Sequence, residues 1–215
     1  MKVGIIGSGP VGQVLAKAFK AENYETILGT RDTSKEDVVK FNKETGIAIG
    51  TFEDVARQSE IIVLATKGAA AEEAIKLAGV ANFSNKVVID TTNPISESAP
   101  PTNGVIHYFT TLEESLMERI QKLIPVAKVV KAFNIVGNPF MYKPNFPGGT
   151  PTMFICGNDD RAKTVVRDIL ILFGWETEDM GKIEAARAIE PLAILWCIPG
   201  FVRNQWTHAF KLLKL

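Results

Sequence analysis

Three glycines near the start of the chain have the spacing of an anion-binding turn. The apolar run 3–6 before them is typical of a strand, and the residues after them are typical of a helix. In such a unit Gly7 makes the tight turn, Gly9 lets a pyrophosphate approach the backbone, and Gly12 lets helix and strand pack closely. The N–H groups and the dipole of the helix start favour an anion there. We therefore predict a dinucleotide site at Gly7, Ser8, Gly9, Pro10, Val11 and Gly12. A purely structural turn is the alternative.

The end of the next predicted strand decides which dinucleotide binds. An NAD site places an acidic residue about twenty residues past the glycines, where it accepts hydrogen bonds from the ribose. A 2′-phosphate needs a cation and hydroxyl donors instead, and Thr30, Arg31 and Lys35 provide them. We favour NADP, whereas a register that puts Asp32 at the acidic position gives NAD. In a third interpretation Arg31 and Lys35 only form a solvated helix entry.

No arrangement of residues for proton transfer stands out. There is no Tyr-x-x-x-Lys pattern, and strand alternation sends Lys131 and Asn134 to opposite faces. His107 could donate a proton, but packing with its aromatic neighbours is the favoured interpretation. Hydride transfer between a nicotinamide and a flavin-like ring needs no protein nucleophile, because the cofactors carry the chemistry. We therefore assign no catalytic residue and, with only two His and two Cys, no metal site.

Short apolar strands that alternate with helices position these residues. Strands are predicted at 3–6, 25–29, 46–49, 61–65, 87–90 and 129–133, with helices after the glycine turn and at 35–44, 52–58 and 112–123. This alternation predicts an α/β fold with a doubly wound, Rossmann-type parallel sheet. The loop 93–104, rich in Pro, Ser and Asn, is expected to border the ligand crevice.

A second loop, 137–151, is rich in Pro and Gly and suggests a boundary. We predict a dinucleotide-binding core at 1–137 and a small C-terminal helical lobe at 138–215, packed on the core. The lobe is expected to contain strands at 152–156 and 176–179, a helix at 160–173, and two helical stretches split by Pro199-Gly200. Three aromatic residues of the C-terminal helices have three possible roles: lining the base of a pocket for a second ring, forming a dimer contact, or packing in the core. They are Trp196, Phe201 and Trp206.

Composition excludes several classes of protein. The 215 residues are 46% hydrophobic with 24 basic and 24 acidic side chains, so disorder is excluded and a nucleic-acid partner is not expected. The two cysteines suit buried thiols better than a disulfide. The chain begins with a strand, and Pro199-Gly200 interrupts its longest apolar segment. We therefore expect a cytoplasmic protein without a membrane partner, and the apolar C-terminal helices make a homodimer plausible.

Six ordered motifs resemble a known family over nearly the whole chain. They are GSGPVGQVLAKAF from Gly7, GTRD from Gly29, DTTNP from Asp90, VVKAFN from Val129, MFICGND from Met153 and ARAIEPLAILW from Ala186. This set resembles the coenzyme F420-dependent NADP oxidoreductases, and also the oxidoreductase domain of the STEAP metalloreductases. In the F420 enzymes a basic residue often follows the arginine, whereas this chain has Asp32.

The resemblance implies a Rossmann domain in which NADP meets a deazaflavin (F420) or a flavin (FMN or FAD). It assigns the 2′-phosphate to Thr30, Arg31 and Lys35. It places Ala65, Thr66, Lys67, Asn93 and Pro94 along the cofactor. It places the segment 132–137, which includes Ala132 and Asn134, beside the nicotinamide. For Lys67 a solvated loop charge, and for Asn134 a loop cap, are the alternatives.

Three functions remain open from the sequence. The first is an NADP-dependent oxidoreductase that passes hydride to a small flavin-like redox acceptor. The second is an NADPH sensor that uses the same crevice without turnover. The third is a reductase of a small carbonyl or imine, which is disfavoured because it needs a proton donor at the nicotinamide.

Overall fold

The computed structural model describes residues 1–215 as a single eight-stranded sheet with helices on both faces. The strands are β1 (Lys2–Ile6), β2 (Glu25–Thr30), β3 (Ala48–Thr51), β4 (Ile61–Leu64), β5 (Val87–Asp90), β6 (Lys128–Lys131), β7 (Thr152–Gly157) and β8 (Glu176–Asp179). The helices are α1 (Pro10–Ala21), α2 (Glu36–Thr45), α3 (Phe52–Gln58), α4 (Ala71–Ala78), α5 (Leu116–Leu123), α6 (Asp160–Leu172), α7 (Ala186–Ile189) and α8 (Leu192–Arg203). The predicted doubly wound α/β fold is confirmed.

The strand order β3-β2-β1-β4-β5-β6-β7-β8 creates a crevice beside β1. The chain winds outward from β1 to β3, then returns to the other side of β1 with β4, and all pairs from β3 to β6 are parallel. Ile6 pairs with Gly29 on one side and with Leu64 on the other, so β1, β2 and β4 end at the same edge. Ligands of such sheets bind at the carboxyl ends of the strands where the winding reverses.

Strand β7 runs antiparallel to β6, unlike the strands before it. The connection 132–151 contains no crossover α-helix, so the chain turns back along its neighbour instead of returning to start a parallel strand. Strand β8 then pairs parallel to β7 across α6. The boundary at residue 137 stays a prediction; Phe173, beyond it, packs on Phe19 in the core with ring centroids 5.0 Å apart.

Two local predictions were wrong. Helix α4 was not predicted, although it buries Ala71, Ala74, Ile75 and Ala78 at helical spacing. The C-terminal helix was predicted to break at Pro199-Gly200, whereas α8 continues through both residues to Arg203, and its C-cap residue Asn204 has a left-handed φ of 54°. Residues 204–215 form no helix, because this segment hydrogen-bonds to β7: the Thr152 N–H donates to the Phe210 carbonyl at 2.8 Å.

The helical stretch Ile183–Arg203 is long and apolar enough to cross a membrane by length and composition alone, with a mean hydropathy of 1.4. This is weak evidence for a span, because the stretch carries Glu190, whose carboxylate is paired inside the fold. Leu195, Phe201 and Val202 on α8 are about half exposed. The homodimer, the cytoplasmic location and the lack of a membrane partner stay predictions.

A buried ion cluster joins the second half of the sheet to the C-terminal helices. The Lys131 ammonium lies 2.6 Å from the Asp90 carboxylate and 2.9 Å from that of Glu190, with all three side chains at most 2% exposed. Burial alone lowers the pKa of Lys131, but the attraction of the two carboxylates outweighs it and raises that pKa. The cluster keeps one excess negative charge. Glu190 places this charge on the N-terminus of α5, where it accepts hydrogen bonds from the Leu116 and Met117 N–H groups.

We expect Lys131→Met to lower the free energy of unfolding by about 3–5 kcal/mol, because it leaves two carboxylates buried without a cation. Lys128→Met on the same strand is the matched control. It breaks a 3.8 Å ion pair with Asp159 that is partly exposed, so its loss should stay below about 1 kcal/mol. Urea unfolding of both variants measures the difference, and equal losses would contradict the assigned role of the cluster.

Candidate functional site

The turn between β1 and α1 has a distinct steric requirement at each of its three glycines. Gly7 has φ +122°, and a Cβ there would lie 2.5 Å from the Ala65 carbonyl oxygen. A Cβ on Gly12 would lie 1.8 Å from the carbonyl oxygen of Gly7. A Cβ on Gly9, by contrast, would meet no atom within 4 Å. Gly7 and Gly12 are therefore needed to build the turn, whereas Gly9 leaves its outer surface open.

The N-terminus of α1 points its free N–H groups at this open surface. Gly9 is the N-cap residue and provides no side-chain cap, Pro10 occupies the first turn, and that turn has no acidic residue. The first N–H groups of a helix have no partner within the helix, and its dipole adds partial positive charge there. This helix end is therefore equipped to bind an anion such as a pyrophosphate.

A cleft of about 530 Å³, here called the main cleft, runs along the carboxyl ends of β2, β1 and β4. Ten predicted site residues line it: Gly7, Ser8, Gly9, Pro10, Thr30, Arg31, Lys35, Ala65, Thr66 and Lys67. A side cleft of about 230 Å³ shares Thr66 and Lys67 with it and extends past Val11 to Asn93. The structure thus brings together most of the predicted cofactor-binding residues.

Chemistry, and not size, distinguishes the main and side clefts from a larger depression elsewhere on the protein. A depression of about 720 Å³ lies between β8 and the segment 211–214, but its charges, such as Lys211 and Glu176, pair with each other. The glycine turn and the α1 N-terminus both face the main cleft instead. No group of three His, Cys, Asp or Glu side chains anywhere in the chain could hold a metal ion.

Thr30 and Arg31 differ in their surroundings at the β2 end of the main cleft. Thr30 is buried, and its hydroxyl oxygen accepts a hydrogen bond from Ser8 at 3.3 Å. Arg31 is exposed and has neither an ion pair nor a side-chain hydrogen bond, so its guanidinium is free to bind a ligand. Lys35 pairs with Asp37 at 3.0 Å, which partly neutralises it. Arg31 is therefore the cation at this end of the main cleft that no carboxylate neutralises.

Asp32 uses its carboxylate locally. Its Oδ1 accepts hydrogen bonds from the Ser34 N–H at 2.8 Å and from the Ser34 hydroxyl at 2.6 Å. These bonds, that of the hydroxyl most strongly, hold the pKa of Asp32 below its usual range. The carboxylate is therefore ionised at neutral pH.

Thr66 and Lys67 lie where the main and side clefts meet. The Thr66 hydroxyl oxygen is buried and has no hydrogen-bond partner within the protein, which is the state expected of a group that meets a ligand. Lys67 forms an ion pair with Glu97, and both side chains are exposed. The next residue, Gly68, was missed by the sequence analysis. A Cβ on it would lie 1.9 Å from the Asn93 carbonyl oxygen, so only glycine allows this close approach.

Asn93 lines the side cleft, but the other predicted residues of this end lie behind its wall. Pro94, Ala132 and Asn134 are buried and line neither cleft. The Asn134 side chain donates to the Asn93 Oδ1 and to the Ile189 carbonyl, each at 3.2 Å. Asn134 thus supports Asn93 from behind, which fits the loop-capping alternative.

The aromatic residues considered earlier also lie outside both clefts. His107 hydrogen-bonds Thr102 at 3.0 Å. Trp206 packs on Trp196 and Phe201, with ring centroids 5.6 and 5.2 Å apart. The wall of the main cleft includes further residues that sequence reasoning missed. Asp37 lies on α2 and Phe52 on α3, whereas the others belong to or flank α4: Ala70, Glu73, Ala74 and Leu77. The helical spacing of the alanines was the signal that would have revealed α4.

Comparison with known proteins relates this chain to one family of oxidoreductases. Residues 2–94 match the family described as NADP oxidoreductase, coenzyme F420-dependent. The F420-dependent NADP reductase of Methanocaldococcus jannaschii is 27% identical over 91% of this chain and 90% of its own length. Metalloreductase STEAP3 of Rattus norvegicus is 28% identical over 92% of this chain, but the match spans only 38% of that protein.

A solved structure extends the likeness to the complete chain. The crystal structure of a putative F420-dependent NADP reductase from Arthrobacter sp. FB24 superposes with a TM-score of 0.93 at 30% identity, covering 100% of both chains. The superposition of the two structures includes the C-terminal segment, which the family match at 2–94 does not reach. With the glycine turn, the free arginine and this full-length likeness taken together, the chain belongs to the F420-dependent NADP oxidoreductase family, whose members are NADP-dependent oxidoreductases.

Proposed function

We propose that this protein binds NADP(H) along the main and side clefts and exchanges hydride with a deazaflavin or flavin ring. The observation that supports the ring acceptor is the composition of the side cleft. No His, Tyr or Cys lines it, and its charged residues, Lys67 and Glu97, pair with each other. A carbonyl or imine substrate needs a proton donor at the reacting carbon, whereas a ring acceptor needs close stacking and exclusion of water.

The residues present fit the cofactor at three points. The α1 N-terminus beside Gly9 would bind the pyrophosphate, and Arg31 with Thr30 would bind the 2′-phosphate. The unpartnered Thr66 hydroxyl would hydrogen-bond the cofactor where the main and side clefts meet. NADPH supplies the hydride when bound, and the chain's own residues bind it, orient it and shape the space beside it.

The nicotinamide end of this arrangement would lie in the side cleft. Val11 and Ile95 give this cleft apolar surface, while Thr92 and Asn93 follow β5 on its wall. Asn134 fixes Asn93 from behind and is itself held by the Ile189 carbonyl, so hydrogen bonds within the protein hold this wall in place before any ligand enters. A wall of this kind would hold a flat ring in place without forming a covalent bond to it.

Anaerobic mixing with NADPH tests the proposal. We expect the nicotinamide absorbance to fall on addition of F420, FMN or FAD, with at least one acceptor reduced in stoichiometric amount. Binding of NADPH without oxidation by any of the three would support the sensor function instead. Oxidation only by a cyclic imine or a ketone would contradict the ring acceptor while leaving the cofactor assignment intact.

A pair of glycine variants separates the binding role of the turn from its structural role. Gly9→Ala should fold normally, because its Cβ enters open space, but should weaken NADPH binding at least about tenfold because the methyl group occupies the path of the pyrophosphate. Gly12→Ala should lower the free energy of unfolding by about 1–3 kcal/mol or more, because its Cβ collides with the backbone of Gly7. Calorimetry and urea unfolding measure the two effects; unchanged NADPH affinity in Gly9→Ala would refute the assigned site.

Arg31 should carry most of the preference for the 2′-phosphate. We expect Arg31→Gln to weaken NADPH binding by about tenfold to a hundredfold, with little change for NADH, because only NADPH presents a group for the guanidinium. Lys35→Gln is the matched control and should have a smaller effect, since Asp37 already pairs with that lysine. Thermal stabilisation by each coenzyme measures the difference. Equal losses for NADPH and NADH in Arg31→Gln would remove Arg31 from the 2′-phosphate site.

A further inference from the structure

We infer that Asp32 is a positioning residue that holds the turn presenting Arg31, and that its carboxylate is not a ligand of the ribose. The inference rests on the proposed binding of NADP in the main cleft. The hydrogen-bonding capacity and the charge of this one side chain then have opposite effects on cofactor binding. The oxygen atoms stabilise the turn, and the negative charge weakens the binding of a 2′-phosphate.

The geometry ties Asp32 to both sides of the corner. Its Oδ1 holds Ser34 through two short hydrogen bonds, of 2.8 Å from the N–H and 2.6 Å from the hydroxyl. Its own N–H donates to the buried Thr30 hydroxyl at 3.3 Å, and the same hydroxyl donates to the Asp32 carbonyl at 3.2 Å. A side chain that bonds the backbone two residues ahead stabilises a turn by itself. Arg31 lies between Thr30 and Asp32 in this hydrogen-bonded turn. The turn therefore fixes the backbone position from which the Arg31 side chain extends.

The charges of the corner explain why the two properties separate. Arg31 and Lys35 face the cleft together with Asp32 and Asp37, so the four formal charges sum to zero. Lys35 and Asp37 pair with each other, which leaves Asp32 as the anion beside Arg31. A phosphate dianion bound by Arg31 is repelled by that carboxylate. An uncharged group with the same hydrogen-bonding oxygen would keep the turn and remove the repulsion.

Asparagine and alanine at this position separate charge from hydrogen bonding. Asp32→Asn retains an oxygen that can accept from Ser34, whereas Asp32→Ala removes it. The probes are 2′,5′-ADP and 5′-ADP, which differ in the 2′-phosphate and in the length of the 5′-phosphate chain, together with NADPH and NADH; calorimetry gives all four affinities without any redox reaction. Glu36→Gln is the control for loss of a nearby charge, because this exposed side chain makes no hydrogen bond or ion pair.

We expect Asp32→Asn to tighten binding of 2′,5′-ADP and NADPH by about threefold to fivefold and to leave 5′-ADP and NADH unchanged. Asp32→Ala should bind 2′,5′-ADP at least about fivefold more weakly than Asp32→Asn, since the turn loses its two hydrogen bonds. Glu36→Gln should change each affinity by less than about twofold. All three variants should keep the melting temperature of the parent chain to within a few degrees.

Two results would overturn the inference. A fivefold or greater loss of NADH and 5′-ADP binding in Asp32→Asn would make Asp32 a ribose ligand through its free Oδ2. Equal 2′,5′-ADP affinities in the Asn and Ala variants would remove its positioning role. Failure of the proposed function is a separate outcome, because the parent chain would then bind neither NADPH nor 2′,5′-ADP.

Discussion

The contact between α1 and the end of β1 is the constraint on which the rest of the site depends. The helix comes so close that Gly12 has no space for a Cβ beside the carbonyl oxygen of Gly7. This approach directs the α1 N-terminus at the sheet edge where β2 and β4 also end. The side chains that follow those strands, Arg31 and Thr66, therefore meet the helix dipole in one cleft. The proposed anion site is made of backbone N–H groups and needs no charged side chain of its own.

The opposite side of the cleft depends on a different interaction, the burial of three charges. Lys131 pairs with Asp90 at the end of β5 and also with Glu190, which lies between α7 and α8. Because Glu190 directly follows Ile189, the ion cluster also fixes the carbonyl that accepts a hydrogen bond from Asn134. The C-terminal helices thus contribute to the site indirectly, by holding the residues behind Asn93. Burying an unbalanced charge is costly, and the α5 N-terminus offsets part of that cost.

The parts of the structure that sequence could predict are those governed by local rules. The glycine spacing located the β1–α1 turn, and the apolar runs located the strands to within one or two residues. The prediction of a second helical stretch after Pro199-Gly200 failed, because residues after Asn204 find partners on β7 that no local pattern encodes. The cluster of Asp90, Lys131 and Glu190 escaped prediction for the same reason, since its members are far apart in the chain. The hydrogen bonds between Asp32 and Ser34 join near neighbours in the chain, yet they were not predicted from the sequence.

Backbone and side chains therefore divide the work of recognition. The proposed pyrophosphate site relies on a glycine turn and a helix N-terminus, whereas the proposed 2′-phosphate site relies on the Arg31 side chain. The family match covers residues 2–94 and ends where the loop beside the side cleft begins. After Asn93, Ile95 and Glu97 line that cleft, and the rest of the same loop packs on α8, where the Val202 side chain approaches Gly104. Relatives that share the cofactor half are consequently expected to differ in acceptor through this segment, because a change there leaves the anion site and its geometry intact.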